Sequence, residues 1–184
     1  MTSADILMAG FGGQGVLLTG KLLAHAAMSL GKEVSWLPSY GPEMRGGTCN
    51  VTVCISDNPI GSPYVTKPNM LIAMNQPSLE KFGPNVEPGG LIVVNSTLIP
   101  ISIDRADCQV VYIEATKMAT EAGTPRAANI VMLGVMVGAT RIIEKETALS
   151  AIEKEFSRKA KFIPINERAF ESGYALGQTY RRQG

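Results

Sequence analysis

The sequence predicts an α/β fold: an open, mostly parallel sheet with helices on both faces and a helical C-terminal part. Three observations carry this. Near-continuous apolar runs of strand length occur at 69–75 and 90–95, as expected for strands covered on both faces. Segments of helical periodicity alternate with the strand-like runs. A glycine-rich turn, Gly10 to Gly15, joins the first short apolar run to the first helix.

The elements follow in order. Residues 5–9 read as a short buried strand. Val16, Leu17, Leu22, Leu23, Ala26 and Ala27 recur at helical spacing, and Gly31 ends that helix. Residues 33–37 read as a second strand stopped by Pro38. Residues 39–47 form a loop dense in turn formers. Residues 48–56 alternate, with Val51, Val53 and Ile55 on one face and Asn50 and Thr52 on the other. A turn at Asp57-Asn58-Pro59 follows. Strands at 69–75 and 90–95 flank a short helix at 77–82 and a Pro88-Gly89-Gly90 turn. Another strand covers 109–114, and helices are expected at 115–122, 127–141, 145–158 and 166–177.

The chain has 184 residues, room for one ordinary domain, 1–184, without a second core. Lys plus Arg number 17 and Asp plus Glu 16, so the net charge is +1. That balance removes the electrostatic reason to expect nucleic acid or an anionic membrane as partner. The longest apolar run, Ile130 to Ala139, is too short to span a bilayer as a helix. The opening residues carry no basic charge ahead of their apolar stretch, so no signal peptide is expected. Cys49, Cys54 and Cys108 are few, odd in number and lack a CxxC pair. The expected location is the cytoplasm. Only 18% of residues are charged and mean hydropathy is +0.11, which suggests apolar surface covered by a partner.

Gly10-Phe11-Gly12-Gly13-Gln14-Gly15 fits G-x-G-x-x-G between a strand and a helix, the Rossmann-like arrangement. Small residues there let backbone N–H groups approach a diphosphate, and the helix N-terminus favours negative charge. The loop is a poorer NAD site. The second strand ends Trp36-Leu37-Pro38-Ser39-Tyr40, without the acid that reads ribose hydroxyls; Glu33 precedes that strand and Glu43 lies deep in the next loop. The alternative is that these glycines only let helix and strand pack closely. Gly15 to Lys21 also reads G-x-x-x-x-G-K, but Leu22 replaces the magnesium-binding Ser or Thr, which argues against an NTPase.

No catalytic constellation is visible. The one histidine, His25, lies mid-helix among Leu22, Leu23, Ala26 and Ala27, where a structural or surface role is expected. Cys49 and Cys54 are five apart on one strand, so their side chains point to opposite faces and cannot easily share a metal. Three thiolates cannot complete a four-cysteine iron–sulfur cluster, and no zinc spacing occurs. The loop at 39–47 follows a strand's carboxyl end, where ligands bind in such sheets. Its Arg45 suits a phosphate or a partner's carboxylate; the alternative is a turn with an exposed arginine. The stretch Asn129 to Val137 is apolar nearly all round, so it is buried in the core or under another subunit.

Several segments together resemble a known family. Ile6 to Val16, Ser39-Tyr40-Gly41-Pro42-Glu43-Met44-Arg45-Gly46-Gly47, Asn75-Gln76-Pro77, Asn129 to Gly134 and Asn166 to Tyr174 resemble the γ subunit of 2-oxoacid:ferredoxin oxidoreductases. The resemblance spans about 5 to 175 and is strongest to the 2-oxoglutarate or general 2-oxoacid branch. The pyruvate, 2-oxoisovalerate and indolepyruvate branches stay open.

The resemblance implies a role in a complex that decarboxylates a 2-oxoacid on thiamine diphosphate and passes electrons through iron–sulfur clusters to ferredoxin. The product is an acyl-CoA. Thiamine diphosphate, magnesium and the clusters would sit on partner α, β and ferredoxin-like subunits, and this chain would pack against the thiamine-binding ones. It implies CoA contact at Gly10, Phe11, Gly12, Gly13, Gln14 and Gly15, and at Tyr40 and Arg45. No catalytic residue and no metal ligand is expected here. Single-chain relatives place lysines in the loop equivalent to 39–47, where this chain has Glu43, Met44 and Arg45, so that loop serves either CoA or a partner subunit. Whether the isolated chain forms homodimers stays open, as does a scaffold role with no ligand.

Overall fold

The computed structural model describes residues 3–40 and 48–181. Six strands form one sheet: β1 (Ser3–Phe11), β2 (Glu33–Tyr40), β3 (Thr48–Ser56), β4 (Met70–Ala73), β5 (Leu91–Asn95) and β6 (Gln109–Ile113). Their order across the sheet is β2-β3-β1-β4-β5-β6. β1, β4, β5 and β6 are parallel. β3 runs against both of its neighbours, β1 and β2, which gives β2 the direction of β1. Among the described residues β3 is thus the one reversed strand, and the sheet is mostly parallel as expected.

The helices are α1 (Val16–Ser29), α2 (Gln76–Phe82), α3 (Ala115–Ala122), α4 (Ala128–Thr140), α5 (Lys145–Phe156) and α6 (Ile163–Gln178). None among the described residues is long and apolar enough to cross a membrane. They lie on both faces, unequally. One face of the sheet (Ile6, Met8, Val51, Val53, Ile72, Val93 and Val111) packs with buried residues of α1, α3, α4, α5 and α6. The other (Leu7, Leu71, Ala73, Ile92 and Val94) packs with Leu79 of α2, Val86 and Ile99. Alternation along each strand sorts the residues between these two cores.

Two expectations need correction. β2 does not stop at Pro38 but runs on to Tyr40, with Pro38 opposite Val51. β2 is an edge strand, where a missing N–H need not break a ladder bond. α6 begins at Ile163 rather than at 166, with Pro164 in its first turn, where no intrahelical N–H is needed.

The all-apolar stretch in α4 is explained by the core. Eleven of its residues, Ala128 to Gly138, are buried. α4 meets α6 through paired glycines: a Cβ on Gly134 would collide with the Phe170 carbonyl, and one on Gly173 with the Val131 carbonyl. Gly138 and Gly177 repeat the arrangement one turn on, against the carbonyls of Tyr174 and Val135. The two backbones approach closer than any side chain at these positions permits.

Candidate functional site

The strand order reverses direction of growth between β1 and β4, which makes their carboxyl ends a topological switch point, the usual ligand crevice of open α/β sheets. The predicted glycine loop sits there. Gly10 and Tyr40 both pair with Cys49, from opposite sides, so the ends of β1 and β2 lie on one row of the sheet. Two strand spacings separate them, roughly 10 Å. The structure therefore brings Tyr40 to the edge that carries the loop. Arg45 lies outside the described residues.

The loop closes as a tight turn. Gln14 N–H donates to the Phe11 carbonyl at 3.1 Å, and Gly13, at the turn's third position, has φ +96°. A positive φ there suits glycine. Gly15 caps α1 at φ +76° without a side-chain cap. Thr19 N–H is bonded back to the Gly15 carbonyl at 3.0 Å, so α1's first turn starts with its own N–H groups free of intrahelical partners. Among the described residues Gly12, Gly13 and Gly15 donate no backbone hydrogen bond. Gly13 is exposed, and Gly12 and Gly15 are half-buried. N–H donors left without backbone acceptors at a helix N-terminus attract anions.

Two side chains hold this loop. The Gln14 amide accepts from Phe11 N–H at 2.6 Å and donates to the Met74 carbonyl at 3.0 Å, reaching across from β1 to the end of β4. Asn129, buried at the start of α4, donates to the Gly15 carbonyl at 3.1 Å and to Thr19 Oγ1 at 3.0 Å. Nearby strand ends carry further buried amides. Asn75 caps α2 by accepting from Ser78 N–H at 2.8 Å, yet its Nδ2 has no partner. Asn95 donates to Thr116 Oγ1 at 3.1 Å, yet its Oδ1 has none. Sequence reasoning gave Asn75, Asn95, Thr19 and Asn129 no role of their own. For the three asparagines the available signal was a polar residue bordering an apolar run, which is unusual in a core unless hydrogen-bonded; Thr19, inside α1, carried no such mark.

Other singled-out residues lie elsewhere. Glu33 pairs with Ser56 at the far end of β2, about seven residues or roughly 23 Å from the loop's row, so it cannot read a ribose there. His25 is exposed on α1, beside Met28 and Trp36 of β2. Lys21 of the spurious G-x-x-x-x-G-K lies in α1 and pairs with Glu155 at 2.8 Å. Cys49 joins the larger core with Val51 and Val53, whereas Cys54 faces the other way, opposite Asp5. Burial pushes the Cys54 thiol up to about 12, with the Asp5 carboxylate adding to the effect; burial raises Cys49 too. Among the described residues no three His, Cys, Asp or Glu side chains are grouped to hold a metal ion. A cleft of about 340 Å³ at the opposite end of the strands, lined by Ser3, Lys32, Asp57 and Arg141, has its Lys32 and Asp57 paired with each other.

Comparison with known proteins matches residues 5–176 to the pyruvate ferredoxin/flavodoxin oxidoreductase family. The ketoisovalerate oxidoreductase subunit VorA of Methanothermobacter thermautotrophicus is 45% identical over 170 residues, covering 91% of this chain and 35% of VorA. The chain thus spans about a third of that relative's length. The 2-oxoglutarate synthase subunit KorC of Methanocaldococcus jannaschii is 36% identical over 177 residues, 95% of this chain and 94% of KorC. The crystal structure of a keto/oxoacid ferredoxin oxidoreductase γ subunit from Geobacter sulfurreducens superposes with a TM-score of 0.82 at 32% identity, covering 96% of this chain and 99% of that one.

Proposed function

Because the chain belongs to the pyruvate ferredoxin/flavodoxin oxidoreductase family, we propose that it is the γ subunit of a 2-oxoacid:ferredoxin oxidoreductase and offers a diphosphate cradle for CoA. KorC and the Geobacter γ subunit match it nearly end to end, which supports the γ assignment. Thiamine diphosphate, magnesium, the iron–sulfur clusters and the thiamine-binding site belong to α, β and ferredoxin-like partner subunits, with ferredoxin as acceptor. The chain works in the cytoplasm, as one domain over 1–184.

The single observation that carries the ligand reading is the set of N–H groups at Gly12, Gly13 and Gly15 that donate no backbone hydrogen bond, at the switch point and the start of α1. They would hold a diphosphate; no proton transfer or covalent step falls to this chain. β2 ends in Ser39-Tyr40 with no acid, which suits CoA better than NAD. Gly10, Phe11, Gly12, Gly13, Gln14 and Gly15 form the cradle, with Tyr40 and Arg45 as further CoA contacts.

The test is a charge placed in the cradle. Gly13 is left-handed, yet a Cβ there meets nothing within 4 Å, and Asp and Asn tolerate that conformation better than most residues. In the assembled enzyme, G13D should raise the KM for CoA about tenfold over G13N through repulsion of the diphosphate, with kcat little changed. Equal KM values for the two variants would remove CoA from this loop. A complex reconstituted without this chain that keeps full activity would remove the γ assignment.

Two relatives favour different substrates. VorA shares more identity and points to 2-oxoisovalerate; KorC aligns over its full length and points to 2-oxoglutarate, the branch favoured here. Assay of the purified complex with each 2-oxoacid and CoA decides between them.

A further inference from the structure

Three of the four loop glycines have identifiable reasons to lack a side chain, and two of those reasons are internal. A Cβ on Gly10 would stand 2.6 Å from Gln14 Oε1 and 2.9 Å from the Met74 Cβ. A Cβ on Gly15 would stand 2.5 Å from Asn129 Nδ2. The space a ligand would be expected to use at these two positions is taken by the chain's own amides. Of these three, Gly13 alone leaves open space where a Cβ would be.

Gln14 is the more telling of the two. Its Oε1 accepts from Phe11 N–H and its Nε2 donates to the Met74 carbonyl, so one planar amide spans the crevice between β1 and β4. The side chain needed must end in an acceptor and a donor side by side, at the reach of two methylenes. A primary amide meets this, and an ionised carboxylate does not, because it has no hydrogen to offer the Met74 carbonyl. The amide also removes Phe11 N–H from the donors available to a ligand. It ties the turn to a strand 60 residues away.

We propose that Gln14 is a positioning residue: its amide ties the glycine loop to β4 and so aims the N–H groups of Gly12, Gly13 and Gly15, without touching the ligand. Phe11, Gln14 and Gly10 then form the scaffold half of the motif, and Gly12, Gly13 and Gly15 its binding half. The geometry stands by itself; the effect on CoA rests on the function proposed above.

The Q14E substitution supplies the discriminating variant. Protonated, the introduced carboxyl has the shape of the glutamine amide with an O–H to donate to Met74; ionised, it sets a second acceptor against that carbonyl. In the full chain, Q14A should speed amide hydrogen exchange across 11–16 about tenfold. Q14E should do the same at neutral pH, and its deficit relative to wild type should close as pH falls through the carboxyl's titration. The Q14A deficit should not depend on pH. In the assembled enzyme Q14A should raise the KM for CoA about tenfold with kcat within about twofold. Unchanged exchange across 11–16 in Q14A overturns the tie, as does a KM increase without any change in exchange, which would make Gln14 a ligand contact. Faster exchange with an unmoved KM keeps the tie and removes CoA from the loop.

Discussion

Asn129, the second residue of α4, donates its side-chain amide to the carbonyl of Gly15, the residue that caps α1, at 3.1 Å across 114 positions of sequence. The same amide reaches Thr19 Oγ1 at 3.0 Å, and Thr19 in turn donates to the Gly15 carbonyl. One buried amide therefore joins the N-terminal ends of two helices beneath the glycine loop. Removing it leaves Thr19 and Gly15 with fewer partners. Asn129→Ala should lower stability by about 1–3 kcal/mol, measured by urea denaturation of the full chain.

Gly15 should respond to that change. Gly15→Ala brings both a left-handed φ of +76° and a collision with Asn129 Nδ2. Gly13→Ala at φ +96° brings strain without a collision. The expected cost at Gly13 is about 1–2 kcal/mol, with a larger one at Gly15. In the Asn129→Ala background the Gly15→Ala cost should fall by about 0.5–3 kcal/mol, the coupling of residues in contact. A double-mutant cycle reads this directly, and additive losses would count against the contact.

The α4–α6 crossing sets another expectation. A methyl group at Gly173 would need to displace the Val131 backbone carbonyl, which is part of a helix and cannot turn aside. Gly173→Ala should therefore cost roughly 3 kcal/mol or more, at the upper end of what overpacking does. Thermal unfolding followed by circular dichroism should show it, whereas Gly31→Ala, with no atom near its Cβ, should cost only the strain of a positive φ.

The thiols should separate by reactivity. Cys49 and Cys54 are buried and their ionisation is pushed up, so neither offers a thiolate at neutral pH. Cys108 is partly exposed and lies 2.9 Å from Arg105 Nη2. A native-state thiol titration should count one reactive cysteine per chain, and three after unfolding. Cys108→Ser should abolish the native-state reaction.

Cys54 also sets an alkaline limit. Its folded-state value of about 12 lies above the ordinary 9.0 because burial and Asp5 disfavour the thiolate. Between those values the unfolded chain has lost a proton that the folded chain keeps, so stability falls as pH rises. The contribution is fully present below pH 9 and lost as pH approaches 12. Cys54→Ala should flatten the decline in urea midpoint over that window.

Local patterns made much of the fold legible. The apolar runs at 69–75 and 90–95 contain β4 and β5, and the alternation at 48–56 is β3. Helix limits are readable where glycine or periodicity marks them; α6 starts three residues ahead of the expected 166, because Pro164 in its first turn is compatible with a helix start that apolar periodicity does not mark. Pro38 misleads because nothing nearby tells an edge strand from a central one. Position in the sheet is a property of the pairing partners.

The alternation of strands and helices, the glycine loop at a helix start, the missing acid after β2 and the likeness to a family are all legible in the order of residues. Each of these depends on residues close together in the chain, or on matching a pattern of residue types. Packing in three dimensions sets the rest: β3 enters between β2 and β1, Tyr40 shares a row with Gly10, and Gln14 and Asn129 fill the space beside Gly10 and Gly15. Those facts depend on partners far apart in the chain: Gly15 and Asn129 are 114 positions from one another, and Gln14, though near Gly10 in sequence, is held by the Met74 carbonyl 60 positions on. Such contacts follow from how the layers pack against the sheet, which no local preference encodes.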